Sequence, residues 1–323
     1  LDVKLFKYDK TGIKHNWDIE VGIDHYSSAS SDKIDLQANS SASSADNRFY
    51  PSVTYSRENE EKAQTISFGL SSSMEYDYQS FGGTVGFSKL TKSKNGEFIA
   101  KFQTYLDQVK MILPIELRGP GAPSGSEARN TFAGSLGYSQ IVNKNFQLLF
   151  LVDVVQQSGY LSLPFHRVYF TDGTVHQENL PDSRLKLPVS VRGSYFLGDN
   201  IILRGYYRYY TDDWKLTAHT LDLEVPVKIS PFISVSPFYR YYSQQGTKYF
   251  KGYEEHTAAS EFFTSNYDLS TFDSQFFGAG IKFTPLKGVF GIQHLNTLEV
   301  RYGHYNRSTA LSSNIISINL KYK

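Results

Sequence analysis

The stretch "IILRGYYRYYTDD", residues 201–213, decides the fold. Read with the two-residue period of a β-strand, it puts Ile201, Leu203, Gly205, Tyr207 and Tyr209 on one face, and Arg204, Tyr206, Arg208 and Tyr210 on the other. The segments that follow divide in the same way. Leu221, Leu223, Val225 and Val227 oppose Thr220, Asp222 and Glu224; Ile233, Val235, Tyr239 and Tyr241 oppose Ser234, Ser236, Arg240 and Tyr242. Phe277, Ala279, Ile281 and Phe283 oppose Gly278, Gly280 and Lys282, while Leu298, Val300 and Tyr302 oppose Glu299 and Arg301. One face is apolar and the other carries charge.

Alternation alone fits a soluble sandwich as well as a membrane barrel, so segment length has to decide. Alternating segments recur near residues 13–27, 48–58, 63–74, 78–90, 97–109, 129–141, 145–157, 184–196, 201–211, 214–229, 232–243, 271–284, 294–305 and 313–322. Each has about ten residues or more, the length a tilted membrane strand needs, whereas soluble strands are about half as long. Connections alternate too: "NEEK", "TKSKNG", "NKN", "LGDN" and "ISP" are short, while 28–47, 110–128, 158–183 and 244–270 are long; the connections near Glu75, Thr211 and Asn306 are short exceptions and the one at Pro285 is middling. This predicts an all-β, antiparallel up-and-down transmembrane barrel of about 14 strands, with long extracellular loops and short periplasmic turns. The expectation is one domain over residues 1–323, residues 1–12 forming a periplasmic tail and both termini being periplasmic. Closure would leave no unpaired edge, and Pro51, Pro188, Pro226 and Pro237 would mark bulges.

Composition agrees. The 323 residues include 24 tyrosines and 23 phenylalanines but no cysteine, and the formal net charge is +1. So balanced a charge gives no reason to expect nucleic acid, and the absence of cysteine fits an oxidising compartment. The longest apolar run, "LLFLVDVV" at 148–155, is too short for a spanning helix and contains Asp153, which excludes a helical membrane protein. No secretory signal is present, so in an exported protein Leu1 would stand near the mature start.

The distinctive residues then gather at the extracellular mouth. Two Ser-Ser-Ala-Ser segments, at 27–30 and 40–43, lie between Asp24 and Asp46, and rising strands end in "EYDYQ" at Glu75, "GYLSLPFHRVYF" at Gly159, "YRYYTDDW" at Tyr207 and "YRYYSQQ" at Tyr239. Tyr207, Tyr209, Tyr239 and Tyr241 read as an interfacial girdle. Arg208 and Arg240 face inward, either paired with lumen carboxylates such as Asp153, Asp222, Glu224 or Glu299, or forming a surface for an anionic group. The candidate binding residues are Asp24, Ser28, Ser30, Ser41, Ser43, Glu75, Asp77, Arg208, Asp212, Asp213, Arg240 and Gln244. The small Ser segments are expected to be an ordered plug or docking loop. His25, His166, His176, His219, His256 and His304 fall in the outer half without diagnostic ligand spacing, so no metal or other cofactor is expected. No G-x-S-x-G elbow, P-loop or dinucleotide fingerprint occurs, and the chain is not expected to be an enzyme.

In this order, Asp24 with the Ser segments, "SSSMEYDYQS", "QSGYLSLPFHRVY", "PDSR", "YRYYTDDWKLTAHTLDLEV" and "YRYYSQQGTKYF" resemble an outer-membrane barrel family catalogued as domain of unknown function 3570. The likeness runs from Asp24 over nearly the whole chain and implies integration in the outer membrane of a Gram-negative envelope. One position departs: the family often has Asp after "GYLS", where this chain has Leu163. The resemblance also implies an envelope redox context, because the family's genes often lie beside those for a small lipoprotein, a thioredoxin-like protein and a flavin transferase.

Two functional classes remain. One is a binding or scaffold barrel with an occluded lumen, in contact with outer-membrane lipid and with a surface lipoprotein or larger envelope complex. The other is a porin-like channel lined by Lys101, Lys186, Arg192, Arg204, Glu299 and Arg301. A redox- or metal-related barrel is a third, weaker reading. Distinctive sequence at the mouth rather than along the lumen favours binding.

Overall fold

The computed structural model describes residues 1–27 and 45–322. The expected plug, with Ser28, Ser30, Ser41 and Ser43, lies outside the described residues. Strands in chain order are β1 (Asp2–Tyr8), β2 (Lys14–Ser27), β3 (Ala45–Asn59), β4 (Gln64–Met74), β5 (Tyr78–Leu90), β6 (Gly96–Lys110), β7 (Ser126–Asn143), β8 (Phe146–Gly159), β9 (Arg167–Tyr169), β10 (Val175–Gln177), β11 (Ser183–Leu197), β12 (Ile201–Asp212), β13 (Thr217–Glu224), β14 (Val227–Lys228), β15 (Ile233–Gln245), β16 (Phe272–Phe283), β17 (Leu295–Arg307) and β18 (Leu311–Tyr322). They form one antiparallel meander in the order β1 to β8, β11, β12, β13, β15, β16, β17, β18, with β14 continuing the line of β13 between β12 and β15; β9 and β10 are a separate hairpin. All fourteen segments read from the sequence are present.

The faces divide as the alternation requires. Phe68, Leu70, Val85, Phe102, Leu136, Val152, Leu221, Leu223, Ile281, Val300 and Ile318 are large apolar side chains left exposed on the outer surface. Arg204, Tyr206, Asp222, Glu224 and Arg240 line the inside. An exposed apolar belt of this extent is costly in water and favourable in lipid. Where the wall is tightest the backbone itself makes contact: a Cβ on Gly278 would lie 1.9 Å from the Tyr302 carbonyl oxygen.

Two expectations need correction, on the tail and on the prolines. Residues 2–8, expected to be tail, form β1, pairing from Asp2 opposite Glu20 to Tyr8 opposite Lys14. Val3 and Leu5 fall opposite Ile19 and Trp17, and Lys4 Nζ sits 3.3 Å from the Asp18 carboxylate; the strand is short and carries two lysines, which hid its alternation. The Leu1 amine donates to the Val21 carbonyl at 2.7 Å, midway along β2, whereas Tyr322 stands opposite Leu295 at the short-turn end. The ends of the chain therefore sit at different heights.

Closure is not shown by the strand pairing. Fifteen strands in the meander make β1 and β18 run in the same direction, and among the described residues neither pairs with the other. Finally, the prolines interrupt ladders without shifting register. Pairing of β11 with β8 skips Pro188, between Lys186 opposite Val155 and Val189 opposite Val152, and Pro226 separates β13 from β14. The register shifts fall instead at Ile141/Asn143 and Leu295/Thr297, where local twist, not a missing N–H, takes up the extra residue.

Candidate functional site at the long-loop end

Most of the buried side chains lie at the end where the long connections meet. Val109, Leu113, Val168, Phe170, Leu180, Trp214, Leu216, Ala218 and Phe272 are buried there, with the polar Ser162, Glu178, Gln244, Thr247, His256 and Thr264. In the wall between, one face meets the surroundings and the other the lumen, so no dry core forms. The mouth is where this protein packs like a globular interior.

Two segments build this cover. Residues 160–182 carry the β9–β10 hairpin, and residues 246–271 fold against it through the isolated bridges Phe170 with His256 and Asn179 with Phe263. The backbone N–H of Phe263 donates to the Asn179 carbonyl at 2.7 Å and that of Thr171 to His256 at 2.9 Å. Phe170, His176, His256 and Phe263 form an aromatic cluster; the Phe170 and Phe263 rings meet edge to face at 4.9 Å. At its centre the Glu178 carboxylate accepts from the Thr264 hydroxyl at 2.5 Å and from the Leu163 N–H at 2.6 Å. Burial pushes the Glu178 carboxyl above its usual range, against hydrogen bonds that lower it, and burial pushes the His256 imidazole down. A third segment joins through Arg167, which donates to both oxygens of Glu116.

The sequence candidates do not converge on one site. Asp212 is fully enclosed and accepts from Arg184, from the Tyr210 hydroxyl at 2.8 Å and from the Leu216 N–H at 3.1 Å. It shapes the tight β12–β13 turn, whose Trp214 packs beneath Arg184 at 4.3 Å. Gln244 is buried and anchors the 246–271 segment by donating to the carbonyls of Asp268 and Ser270 at 3.0 and 2.6 Å. Asp213 is exposed on the same turn. Asp24 accepts from the Tyr50 hydroxyl at 3.2 Å, and Glu75 lies 3.7 Å from Arg48, in a separate group on β2, β3 and the end of β4. Asp77 lies in the β4–β5 turn, where its carbonyl accepts from the Lys110 N–H at 2.9 Å. Of the histidines, His166, His176 and His256 enter the cover region, whereas His219 and His304 stay on the outer face beside Tyr207 and Phe277. Among the described residues no three of His, Asp and Glu gather as a metal-ligand group.

Arg208 and Arg240 do come together, as lining of a cavity of about 910 Å³ beneath the cover. The two differ, however. Arg240 is committed to Asp222, with nitrogens at 2.6 and 2.8 Å from one oxygen, while Arg208 has no carboxylate partner among the described residues. Arg204 and Arg301 share Glu224, at 3.1 and 3.0 Å, and Arg301 also meets Glu299. Arg307, which the sequence reading left out, is buried to 6% exposure and bonds Asp268 and the Tyr267 carbonyl. Carrying the alternation of β17 two residues past Tyr305 would have placed it inward. Glu178 and Thr264 gave no such signal, since they lie 86 residues apart in two segments that follow no period.

A meander of long strands, apolar outside and charged inside, with packed loops at one end, defines the fold of an outer-membrane β-barrel. The chain belongs to the family described as "Protein of unknown function (DUF3570)", whose profile matches residues 23–311. Solved structures agree on the fold. CdiB from Acinetobacter baumannii is similar at a TM-score of 0.55 and 9% identity, with 100% of this chain and 59% of that one covered. A ferric enterobactin receptor (PfeA) mutant from Pseudomonas aeruginosa follows at 0.54 and 9%, covering 94% and 50%. The siderophore receptor PirA from Acinetobacter baumannii gives 0.51 and 11%, covering 96% and 53%. The chain therefore spans between half and three-fifths of these relatives' length. No curated protein matches it.

Proposed function

We propose that this chain is an integral barrel of the outer membrane whose covered mouth faces outward and serves as a docking surface for a surface lipoprotein or larger envelope complex. The observation that carries this reading is the cover. A segment whose only role is to connect strands needs no buried Glu178–Thr264 bond, no aromatic cluster and no cross-bridged backbone; ordering that much loop costs entropy that packing has to offset. The ordered cover also presents aromatic surface outward, with Tyr253 exposed and tilted against Tyr169 at a ring separation of 4.9 Å. Rigid aromatics of this kind are what protein interfaces use as anchors.

A passive channel is the second reading, supported by three cavities of about 910, 260 and 410 Å³ that all reach Glu224, with Arg204, Asp222, Arg240 and Arg301 each lining two of them along the lumen. Planar-bilayer recording separates the two. The docking reading expects no discrete conductance from the intact barrel, and conductance after excision of residues 160–182 and 246–271. Steady open-channel steps from the intact protein would overturn it.

A further inference from the structure

We propose that the cavity beneath the cover is a binding site for a small solute carrying an oxyanion, a carboxylate or a phosphate. The register sets out the site. Arg208 stands opposite Thr220, Thr220 opposite Tyr242, Tyr242 opposite Ser274 and Ser274 opposite Arg307, so that five adjacent strands place one row across the lumen wall. All five line the cavity. The row has an arginine at each end, three hydroxyls between them, and no carboxylate.

The next row toward the short turns is built differently. Tyr206, Asp222, Arg240, Phe276 and Tyr305 stand in register, and there the arginine is neutralised by the neighbouring aspartate. Over the whole cavity, Arg192, Arg204, Arg208, Arg240 and Arg307 face only Asp222, Glu224 and Asp268. Each of those carboxylates is already paired, with Arg240, Arg204 and Arg307 respectively. Among the described residues Arg192 and Arg208 remain without a carboxylate, each held against a tyrosine ring, Tyr206 at 5.4 Å and Tyr210 at 5.6 Å. Stacking fixes the stem of a guanidinium and leaves its N–H fork for a ligand.

Arg307 supplies an independent indication. Its side chain is 5% exposed, yet its Nε is buried without an acceptor. The charge is paired with Asp268 through another nitrogen, but an N–H withdrawn from water and left without an acceptor is costly, and a small turn of the side chain would let a bound oxyanion satisfy it. Guanidinium forks recognise carboxylate and phosphate through paired hydrogen bonds, and the Thr220 and Ser274 hydroxyls add donors for the remaining oxygens, while the Tyr242 hydroxyl is held by Gln244 at 2.5 Å. The site stands whether or not the cover docks a partner, because it is built from wall strands.

The test uses the whole protein, refolded in detergent and titrated calorimetrically with inorganic phosphate in one arm and succinate in the other, at constant ionic strength. Saturable binding of at least one anion is expected, and the arm that responds identifies the chemistry. Arg208→Gln should weaken it by about tenfold or more, the loss of a charge-assisted hydrogen bond. Lys282→Gln removes the same charge from the far, short-turn end of the lumen and should leave affinity within about twofold at the same salt. Arg208→Lys keeps the charge but not the fork, so it should fall between, and it serves if the glutamine variant does not fold. No saturable binding of either anion, or equal losses in Arg208→Gln and Lys282→Gln, would overturn the site.

Discussion

The unpaired seam gives the sharpest prediction. A strand of twelve residues such as β18 offers about six N–H and six C=O groups along its free edge. In hydrocarbon each unsatisfied group costs several kcal/mol, so an open seam carries on the order of tens of kcal/mol and does not persist in a bilayer. Two closures are available. A parallel β18–β1 ladder is limited by the seven residues of β1, whereas an antiparallel β18–β2 ladder matches twelve residues against fourteen but requires β1 to leave. Displacing β1 exposes Val3, Leu5, Phe6 and Tyr8, at roughly 2 kcal/mol each when fully wetted, and these are already half-exposed. The longer ladder wins. We therefore expect β18 to close on β2 in the membrane, restoring the fourteen-strand barrel. The chain has no native cysteine, so engineered pairs report without background. Cysteine at Ser317 should form a disulfide with cysteine at Asp18 and not with cysteine at Lys4, the Asp18 neighbour on β1; bonding requires Cα atoms within about 7 Å. Neighbouring probes at Ile315 and Asn319 cover a register offset. Deleting residues 1–8 should leave a folded, heat-modifiable barrel. Disulfides to position 4 alone, or unfolding of the deletion variant, would refute the reasoning.

Three further outcomes follow from the faces and the cover. Leu223→Arg or Val300→Arg places a charge on the exposed apolar face and should cost roughly 2 to 4 kcal/mol near the midplane, read by denaturant unfolding in lipid. Ser194→Glu, in the lumen opposite Arg204, should change stability by under about 1 kcal/mol; equal costs would invert the face assignment. Cysteines at Asn59, Asn145 and Gly198 should be shielded from an impermeant reagent on intact cells while one at Ser124 reacts, and the reverse pattern would turn the barrel over. Because burial raises the Glu178 carboxyl, folding favours its protonated form, so this group's contribution is fully present at low pH and is lost as pH rises above the ordinary glutamate range. Limited proteolysis of the cover between about pH 5 and pH 8 should show increasing cleavage in the wild type and a flatter response in Glu178→Gln, and identical profiles would remove Glu178 from the account.

Why the wall was legible and the mouth was not is a matter of range. A strand declares itself through neighbours two residues apart, and the apolar partition at Leu221, Leu223, Tyr239 and Ile281 needs no knowledge of the rest of the chain. Short turns then fix which strands are adjacent, so the fold and the order of the strands followed from local pattern. The cover obeys no period. Glu178 meets Thr264, Phe170 meets His256 and Trp214 meets Lys248 through irregular chain, and nothing about those residues in isolation distinguishes them from solvated loop. The candidates chosen for being polar at strand ends fared accordingly. Asp212 and Gln244 proved to be internal fasteners, because a carboxylate or amide at the point where a strand turns into a packed loop is needed to hold backbone N–H and C=O groups that the ladder no longer satisfies. Arg208 escaped that fate because its row contains hydroxyls on every intervening strand and no acid, a property visible only once five strands are set in register. Alternation could therefore say that Arg208 and Arg240 face inward, but only the register could say that Asp222 neutralises one of them and leaves the other free to meet an anion.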